Sequence, residues 1–201
     1  MFSVEVVDTA FRDALIQDKD VDIKHYVSAY RELCKFCSQL GTLFGFVVND
    51  IQEKIGRLND LMDQDEPHYS TVQSMILFEK CNATLMDNSG CITLLRLHRG
   101  LEFIILFMSK LIDLQPTEST TYIAQGAYSQ TLAKHHSFWI RHGAYLAMNF
   151  LPCQKNLYLQ TVGDENIKET LNAMPDMIAK ATEVHNRLNT LFLDFEILNL
   201  P

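Results

Sequence analysis

The chain of 201 residues contains no long hydrophobic run. Its longest uninterrupted apolar segment is Phe103–Met108, whereas a helix needs about 20 apolar residues to cross a bilayer. Positive charge is also scarce, since 17 lysines and arginines face 25 acidic residues and the formal net charge is −8. This charge argues against nucleic acid as a partner and against strong electrostatic adhesion to anionic membranes.

The sequence also lacks the short motifs of common enzymes and metal sites. It has no G-x-S-x-G, no H-E-x-x-H and no glycine-rich phosphate loop. The odd count of five cysteines and the absence of a signal-peptide pattern predict free thiols in a cytosolic protein. Cys34 and Cys37 form a lone C-x-x-C, which favours small core residues over zinc or redox chemistry. His135, His136 and His142 lack carboxylates at a completing spacing, so we predict neither metal nor cofactor.

Periodicity predicts an all-α protein, because apolar residues recur at helical spacing and no segment shows sustained alternation. The composition, 47% hydrophobic and 21% charged, suits one domain spanning residues 1–201. A turn is expected at DKDVD, a loop around Pro67, and an end to the fourth helix at Asp87–Gly90. The predicted helices cover residues 2–17, 23–40, 42–62, 69–86, 89–114, 119–134, 136–151, 157–162 and 164–195, the last interrupted near Pro175.

The segment Ser89–Leu114 carries two apolar stripes, which predicts a helix covered on both sides. Ile92, Phe103 and Phe107 form the second stripe, which also contains Arg96. Arginine stays charged and is rarely buried unpaired. An apolar stripe with a guanidinium therefore suits a ligand with an anionic head and an apolar tail. The first stripe consists of Leu94, Leu97, Leu101, Ile104, Ile105, Met108 and Ile112.

Asp50 and Lys54 lie four residues apart, beside the apolar stripe of the third predicted helix. One interpretation is an exposed ion pair that contributes about 0.3–0.5 kcal/mol. The other is a polar cluster at a pocket entrance, where Asp50 accepts hydrogen bonds and Lys54 attracts an anion.

His136 is predicted to begin a helix whose first turn carries Phe138 and Trp139. A histidine at this position is either a cap or a neutral hydrogen-bonding group for a carbonyl or hydroxyl. The two aromatic residues belong either to the core or to a surface that contacts a membrane interface.

Taken in order, these segments resemble the glycolipid transfer protein superfamily, and most closely its branch that carries ceramide 1-phosphate. The resemblance rests on LGTLFGFVVNDIQEK, HYSTVQSMI, SGCITLLRLHRGLEFIILF, the histidine followed by paired aromatics, and the final ILNLP. It spans nearly the whole chain. It implies a two-layer helical sandwich with lipid chains inserted between the layers, and non-enzymatic carriage of a sphingolipid between membranes.

The resemblance also implies roles for individual residues. Asp50 corresponds to the aspartate that binds the ceramide amide, and His136 to the histidine that binds its carbonyl. Lys54 and Arg96 stand where the glycolipid branch has an asparagine and a tryptophan that contact sugar, and both changes suit a phosphate. Candidates to line the chain slot are Leu43, Val47, Ile92, Phe103 and Phe107.

One position departs from the phosphate-binding branch, because Ile92 replaces a second arginine four residues before Arg96. A missing guanidinium removes roughly 1.5–3 kcal/mol of charge-assisted bonding. Arg99, Arg141 and Lys134 are possible substitutes. The change also leaves room for a phosphoethanolamine or phosphocholine head.

The sequence thus predicts a monomeric cytoplasmic carrier of a phosphosphingolipid, ceramide 1-phosphate above all, that contacts membranes transiently through Phe138 and Trp139. Two alternatives stay open. One is a carrier or sensor of a sphingolipid with another head group, including a sugar. The other is an all-α module that binds a protein and keeps a vestigial pocket.

Overall fold

A computed structural model describes residues 1–86 and 89–200, so the predicted helix end at Asp87–Gly90 lies partly outside it. Within these residues the chain is helical, with isolated bridges but no β-strand. The α-helices are α1 Val4–Ala14, α2 Ile23–Ser38, α3 Gly45–Gln64, α4 Glu66–Tyr69, α5 Val72–Cys81, α6 Gly90–Leu111, α7 Thr121–Gln130, α8 Phe138–Met148, α9 Gln154–Thr161 and α10 Ile167–Asp194.

The helices form the two-layer sandwich that the resemblance implied. Helix α6 packs against α3, α5, α7 and α10, while α1 packs on α2 and α10, and α2 on α3. Both stripes of α6 contribute buried residues, including Leu94 and Leu101 from the first and Ile92 and Phe107 from the second. The prediction that α6 is covered on both sides is therefore confirmed.

Several predicted boundaries were wrong, including the end of the fourth predicted helix, which lies at Cys81 and not at Met86. Three of the differences have identifiable reasons. Pro67 lies in the first turn of α4, where its missing N–H costs nothing, and not in a loop. Helix α5 begins later than predicted because Thr71 and Ser74 form a reciprocal capping box. Helix α10 continues through Pro175, which is exposed, so the carbonyl that it would clash with can tilt toward water.

A buried carboxylate fixes the start of α6. Glu79, 1% exposed, accepts hydrogen bonds from the backbone N–H groups of Gly90 (2.6 Å) and Cys91 (2.9 Å), and from the Tyr69 hydroxyl (3.2 Å). Ser89 caps the same turn by accepting from Ile92 N–H. Negative charge is favoured at a helix N-terminus, so α5 holds the first turn of α6 in place.

Two stacked imidazoles join α6 to α10. The ring of His98 lies 4.2 Å from that of His185, with an interplanar angle of 15°. Burial lowers the pKa of His98 to about 3, helped by the neighbouring His185 and Arg99, while a hydrogen bond to Asn189 opposes the shift. Both imidazoles are therefore neutral near pH 7, since burial also lowers the pKa of His185.

We predict that the free energy of unfolding decreases as the pH falls from 6.5 toward 3. The unfolded chain binds a proton at His98 below its ordinary pKa of about 6.5, whereas the folded chain does not until about pH 3. At pH 5 this one residue accounts for a loss of about 2 kcal/mol. Urea unfolding of the His98→Gln variant should show a shallower pH dependence, whereas His142→Gln, at an exposed position of α8, should keep the wild-type slope. An equal slope for His98→Gln and wild type contradicts the prediction.

Candidate functional site

Asp50 and Lys54 form the predicted ion pair on α3, but the two side chains differ in exposure. The ammonium of Lys54 contacts a carboxylate oxygen of Asp50. The Lys54 side chain is only 15% exposed, whereas that of Asp50 is 62% exposed. The pair is thus not a simple surface bridge, because the cation is largely covered while the carboxylate keeps open hydrogen-bonding capacity.

His136 lies in an extended segment between the 3₁₀ turn Leu132–His135 and α8. The prediction that His136 begins a helix is wrong, because Ser137 caps α8 by accepting a hydrogen bond from Ile140 N–H. Burial lowers the pKa of His136, Asp50 raises it and Lys54 lowers it further. Both side chains of the pair are therefore near enough to His136 to act on its charge, and we call the three residues the polar cluster.

Tyr128 on α7 completes this cluster, and the sequence analysis missed it. Its hydroxyl lies 2.8 Å from Nδ1 of His136. The residue is 3% exposed, and burial raises the pKa of its phenol to about 12. Tyr128 lies on α7 and His136 after the 3₁₀ turn, so the two residues share no helix and only the fold could reveal the pairing.

A row of aromatic rings runs from the polar cluster into the core. Tyr128 meets Phe103 edge-on at 6.5 Å, Phe103 stacks on Phe107 at 5.9 Å, and Phe107 contacts Phe36 at 6.4 Å. Phe36 in turn meets Phe2 of the N-terminal segment at 5.3 Å. These five residues are the aromatic row. It includes the predicted slot residues Phe103 and Phe107 and places them directly behind the polar cluster.

The other predicted slot residues occupy different environments. Ile92 is 2% exposed but lies outside the contiguous apolar core, and its separation of eleven positions from Phe103 corresponds to about 16 Å of helix. Val47 is partly buried against the core, whereas Leu43 is 44% exposed. The structure thus does not bring all five residues together.

Arg96 and Arg99 of α6 differ in exposure and in partners. Arg96 is exposed. Arg99 is partly buried, and its Nη2 donates to the carbonyl oxygens of Leu198 (3.2 Å) and Leu200 (2.6 Å). Burial and the charge of Arg96 lower the pKa of Arg99. These bonds indicate that Arg99 holds the C-terminal segment.

Further basic groups lie near His135 and Tyr128, the neighbours of His136. Burial, Arg99, Lys134 and His136 together lower the pKa of His135 to about 4. Arg141 lowers the pKa of Tyr128, which burial raises, so the charge of Arg141 lies near that hydroxyl. The net charge of −8 therefore does not describe this end of the molecule, which is locally cationic.

The aromatic residues at the start of α8 face solvent. Trp139 is 80% exposed and Phe138 is 53% exposed, which rules out core packing for both. Ile140 beside them is 47% exposed, and Phe46 near the start of α3 is 49% exposed. Neither of these two residues was predicted to be exposed.

The remaining predictions concern metals, thiols and membrane spans. Cys34 and Cys37 are free, and burial raises the pKa of Cys37 to about 12. In residues 1–86 and 89–200, no three His, Cys, Asp or Glu side chains gather as a metal site would require. No helix in the same residues is long and apolar enough to cross a membrane.

Comparison with known proteins decides the family. The model of the glycolipid transfer protein family matches residues 21–163. The chain belongs to this family. It is 32% identical to the ceramide-1-phosphate transfer protein of Danio rerio, covering 100% of this chain and 98% of that protein.

Solved structures of the family agree over the full chain. The apo mouse ceramide-1-phosphate transfer protein superposes with a TM-score of 0.92 at 29% identity, and each chain is covered completely. The human ceramide-1-phosphate transfer protein in complex with 12:0 ceramide 1-phosphate gives a TM-score of 0.90 at 25% identity, again with 100% coverage of both chains.

The pKa of His136 provides a test of the polar cluster. Asp50→Asn removes a negative charge that favours the imidazolium, so we expect a lower pKa, and Lys54→Met removes an opposing positive charge, so we expect a higher one. NMR titration of the ring measures both. Asp60→Asn, ten residues along the same helix, is the control. Identical titration of His136 in all four proteins contradicts the proximity.

Proposed function

We propose that this protein carries a phosphosphingolipid, ceramide 1-phosphate above all, between membranes without chemical conversion. The observation that supports this most strongly is the convergence of Asp50, Lys54 and His136, from two separate parts of the chain, at the end of the aromatic row. This arrangement places a polar head beside an apolar path. The relatives named ceramide-1-phosphate transfer protein support the same choice of cargo.

The proposed head-group site divides its tasks between two pairs of residues. Asp50 accepts from the amide N–H of the ceramide, and His136 interacts with its carbonyl oxygen. Lys54 and Arg96 bind the phosphate, a monoester with a charge of about −1.5 to −2 at neutral pH. Loss of any of these groups leaves its lipid partner desolvated and unpaired, so single substitutions should reduce transfer strongly.

The proposed chain slot follows the aromatic row. Each methylene that leaves water contributes about 0.8 kcal/mol, so a twelve-carbon chain gains on the order of 10 kcal/mol in a dry slot. Phe103, Phe107 and Val47 line this path, whereas Ile92, near the start of α6, and the exposed Leu43 stay outside it. The ring of Phe107 contacts those of Phe36 and Phe103, so chain entry requires these rings to move apart.

We assign transient membrane contact to Phe138 and Trp139, with Ile140 and Phe46 as exposed neighbours. Aromatic side chains favour the interface between lipid head groups and acyl chains. Docking is shallow and reversible, because a carrier must leave the membrane to deliver its lipid. In this proposal the protein acts as a cytoplasmic monomer that visits membranes.

The transfer of fluorescent lipids between vesicles tests the function. Wild type should move ceramide 1-phosphate faster than galactosylceramide or sphingomyelin. Arg96→Leu should lower phosphate-lipid transfer at least about tenfold, since a charge-assisted bond contributes roughly 1.5–3 kcal/mol. Lys110→Met, on the same helix, is the matched control and should transfer normally.

Ile92→Arg shows whether this position sets head-group choice. Faster transfer of ceramide 1-phosphate by Ile92→Arg indicates that the isoleucine reduces affinity for a monoester. Preferential transfer of sphingomyelin by wild type would favour a phosphodiester cargo instead. A folded wild type that moves none of the three lipids contradicts the proposal and favours the protein-binding alternative.

A further inference from the structure

The hydrogen bond between Tyr128 and His136 indicates which ring nitrogen of His136 holds the hydrogen. Tyr128 Oη and His136 Nδ1 lie 2.8 Å apart, and the two ring centroids are 5.7 Å apart. A neutral imidazole has one donor and one acceptor nitrogen, and a partner at one nitrogen selects the role of the other. His136 is neutral near pH 7 because burial lowers its pKa.

The environment of Tyr128 selects the direction of this bond. Burial raises the pKa of the phenol to about 12, so the hydroxyl keeps its hydrogen at neutral pH. Within residues 1–86 and 89–200, Nδ1 of His136 is the hydrogen-bond partner of this hydroxyl. If Nδ1 were the donor, the hydroxyl hydrogen would be buried without an acceptor, which is unfavourable. Donation from Tyr128 to Nδ1 leaves no such hydrogen.

We propose that Tyr128 is a positioning residue, which holds His136 as the tautomer with its hydrogen on Nε2 and so makes the histidine a donor to the lipid. The inference takes the lipid from the proposed function and adds which hydrogen bond His136 makes to it in that same site. A donor at His136 beside an acceptor at Asp50 matches the carbonyl and N–H of a secondary amide. An ester-linked glycerolipid offers the carbonyl but not the N–H.

The packing around Tyr128 fixes the ring as well as the hydroxyl. Tyr145 of α8 meets it edge-on at 5.4 Å and Phe103 of α6 at 6.5 Å, with interplanar angles of 89° and 83°. Tyr128 is therefore held by helices on two sides while it contacts His136. The backbone N–H of His136 donates to the carbonyl of Ala133 at the end of the 3₁₀ turn, which holds the main chain, while the contact with Tyr128 orients the ring.

Nitrogen NMR of histidine-labelled protein tests the tautomer directly, without lipid. Wild type should show His136 with its hydrogen on Nε2, and Tyr128→Phe should show a mixture of both tautomers. Tyr145→Phe removes a neighbouring hydroxyl that does not bond His136 and should leave the spectrum unchanged. A wild-type ring protonated on Nδ1, or an unchanged tautomer in Tyr128→Phe, overturns the proposal. If Tyr128→Phe folds poorly, a wild-type ring protonated on Nδ1 still overturns the proposal.

Lipid transfer then tests the consequence for function. Tyr128→Phe should slow ceramide 1-phosphate transfer about fivefold, as expected for a misdirected hydrogen bond, while Tyr145→Phe should not. In His136→Gln, the side-chain amide can donate without help from tyrosine, so adding Tyr128→Phe should cause no further loss. An equal loss in both backgrounds shows that Tyr128 acts independently of His136 and overturns the proposal. If wild type transfers no sphingolipid, the proposed function fails, whereas the NMR result still decides the role of Tyr128.

Discussion

The burial of α6 on both sides is the constraint on which the rest of the structure depends. A helix with two apolar stripes leaves one stripe in water unless the chain supplies a layer on each side. Helices α3, α5, α7 and α10 provide these contacts, and Glu79 fixes the first turn. Since Phe103 and Phe107 lie in the second stripe, the same requirement creates the apolar path that we assign to lipid chains.

The polar cluster shows how such a path acquires selectivity. Polar groups in a partly buried site are favourable only when each has a partner. In this structure Lys54 pairs with Asp50, and Nδ1 of His136 pairs with Tyr128, while Asp50 and the other ring nitrogen keep capacity for further bonds. In the proposed complex a lipid supplies partners to these groups. A head group that cannot make these bonds leaves buried polar groups unpaired, so the site selects among lipids without catalysing a reaction.

The sequence predicted those features of the fold that depend on hydrophobic periodicity and on composition. It indicated the all-α class, the double coverage of α6 and the exposed, paired or buried character of several residues, because these follow from spacing along one helix. It failed where the outcome depends on contacts between helices. Tyr128 and Phe36 contribute to the site through tertiary packing alone. Pro175 did not interrupt α10 because its side of the helix faces solvent, which the local sequence does not reveal. The roles of Asp50, Lys54, Arg96 and His136 toward a lipid stay predictions.

Native mass spectrometry after competition tests the central claim, that amide and phosphate are recognised together. The protein would be mixed with equal amounts of ceramide 1-phosphate, galactosylceramide and phosphatidic acid with matched chains. Galactosylceramide has the amide without the phosphate, and phosphatidic acid has the phosphate without the amide. The account predicts that the one-to-one complex with ceramide 1-phosphate dominates the spectrum. Equal or preferred binding of either competitor would contradict it.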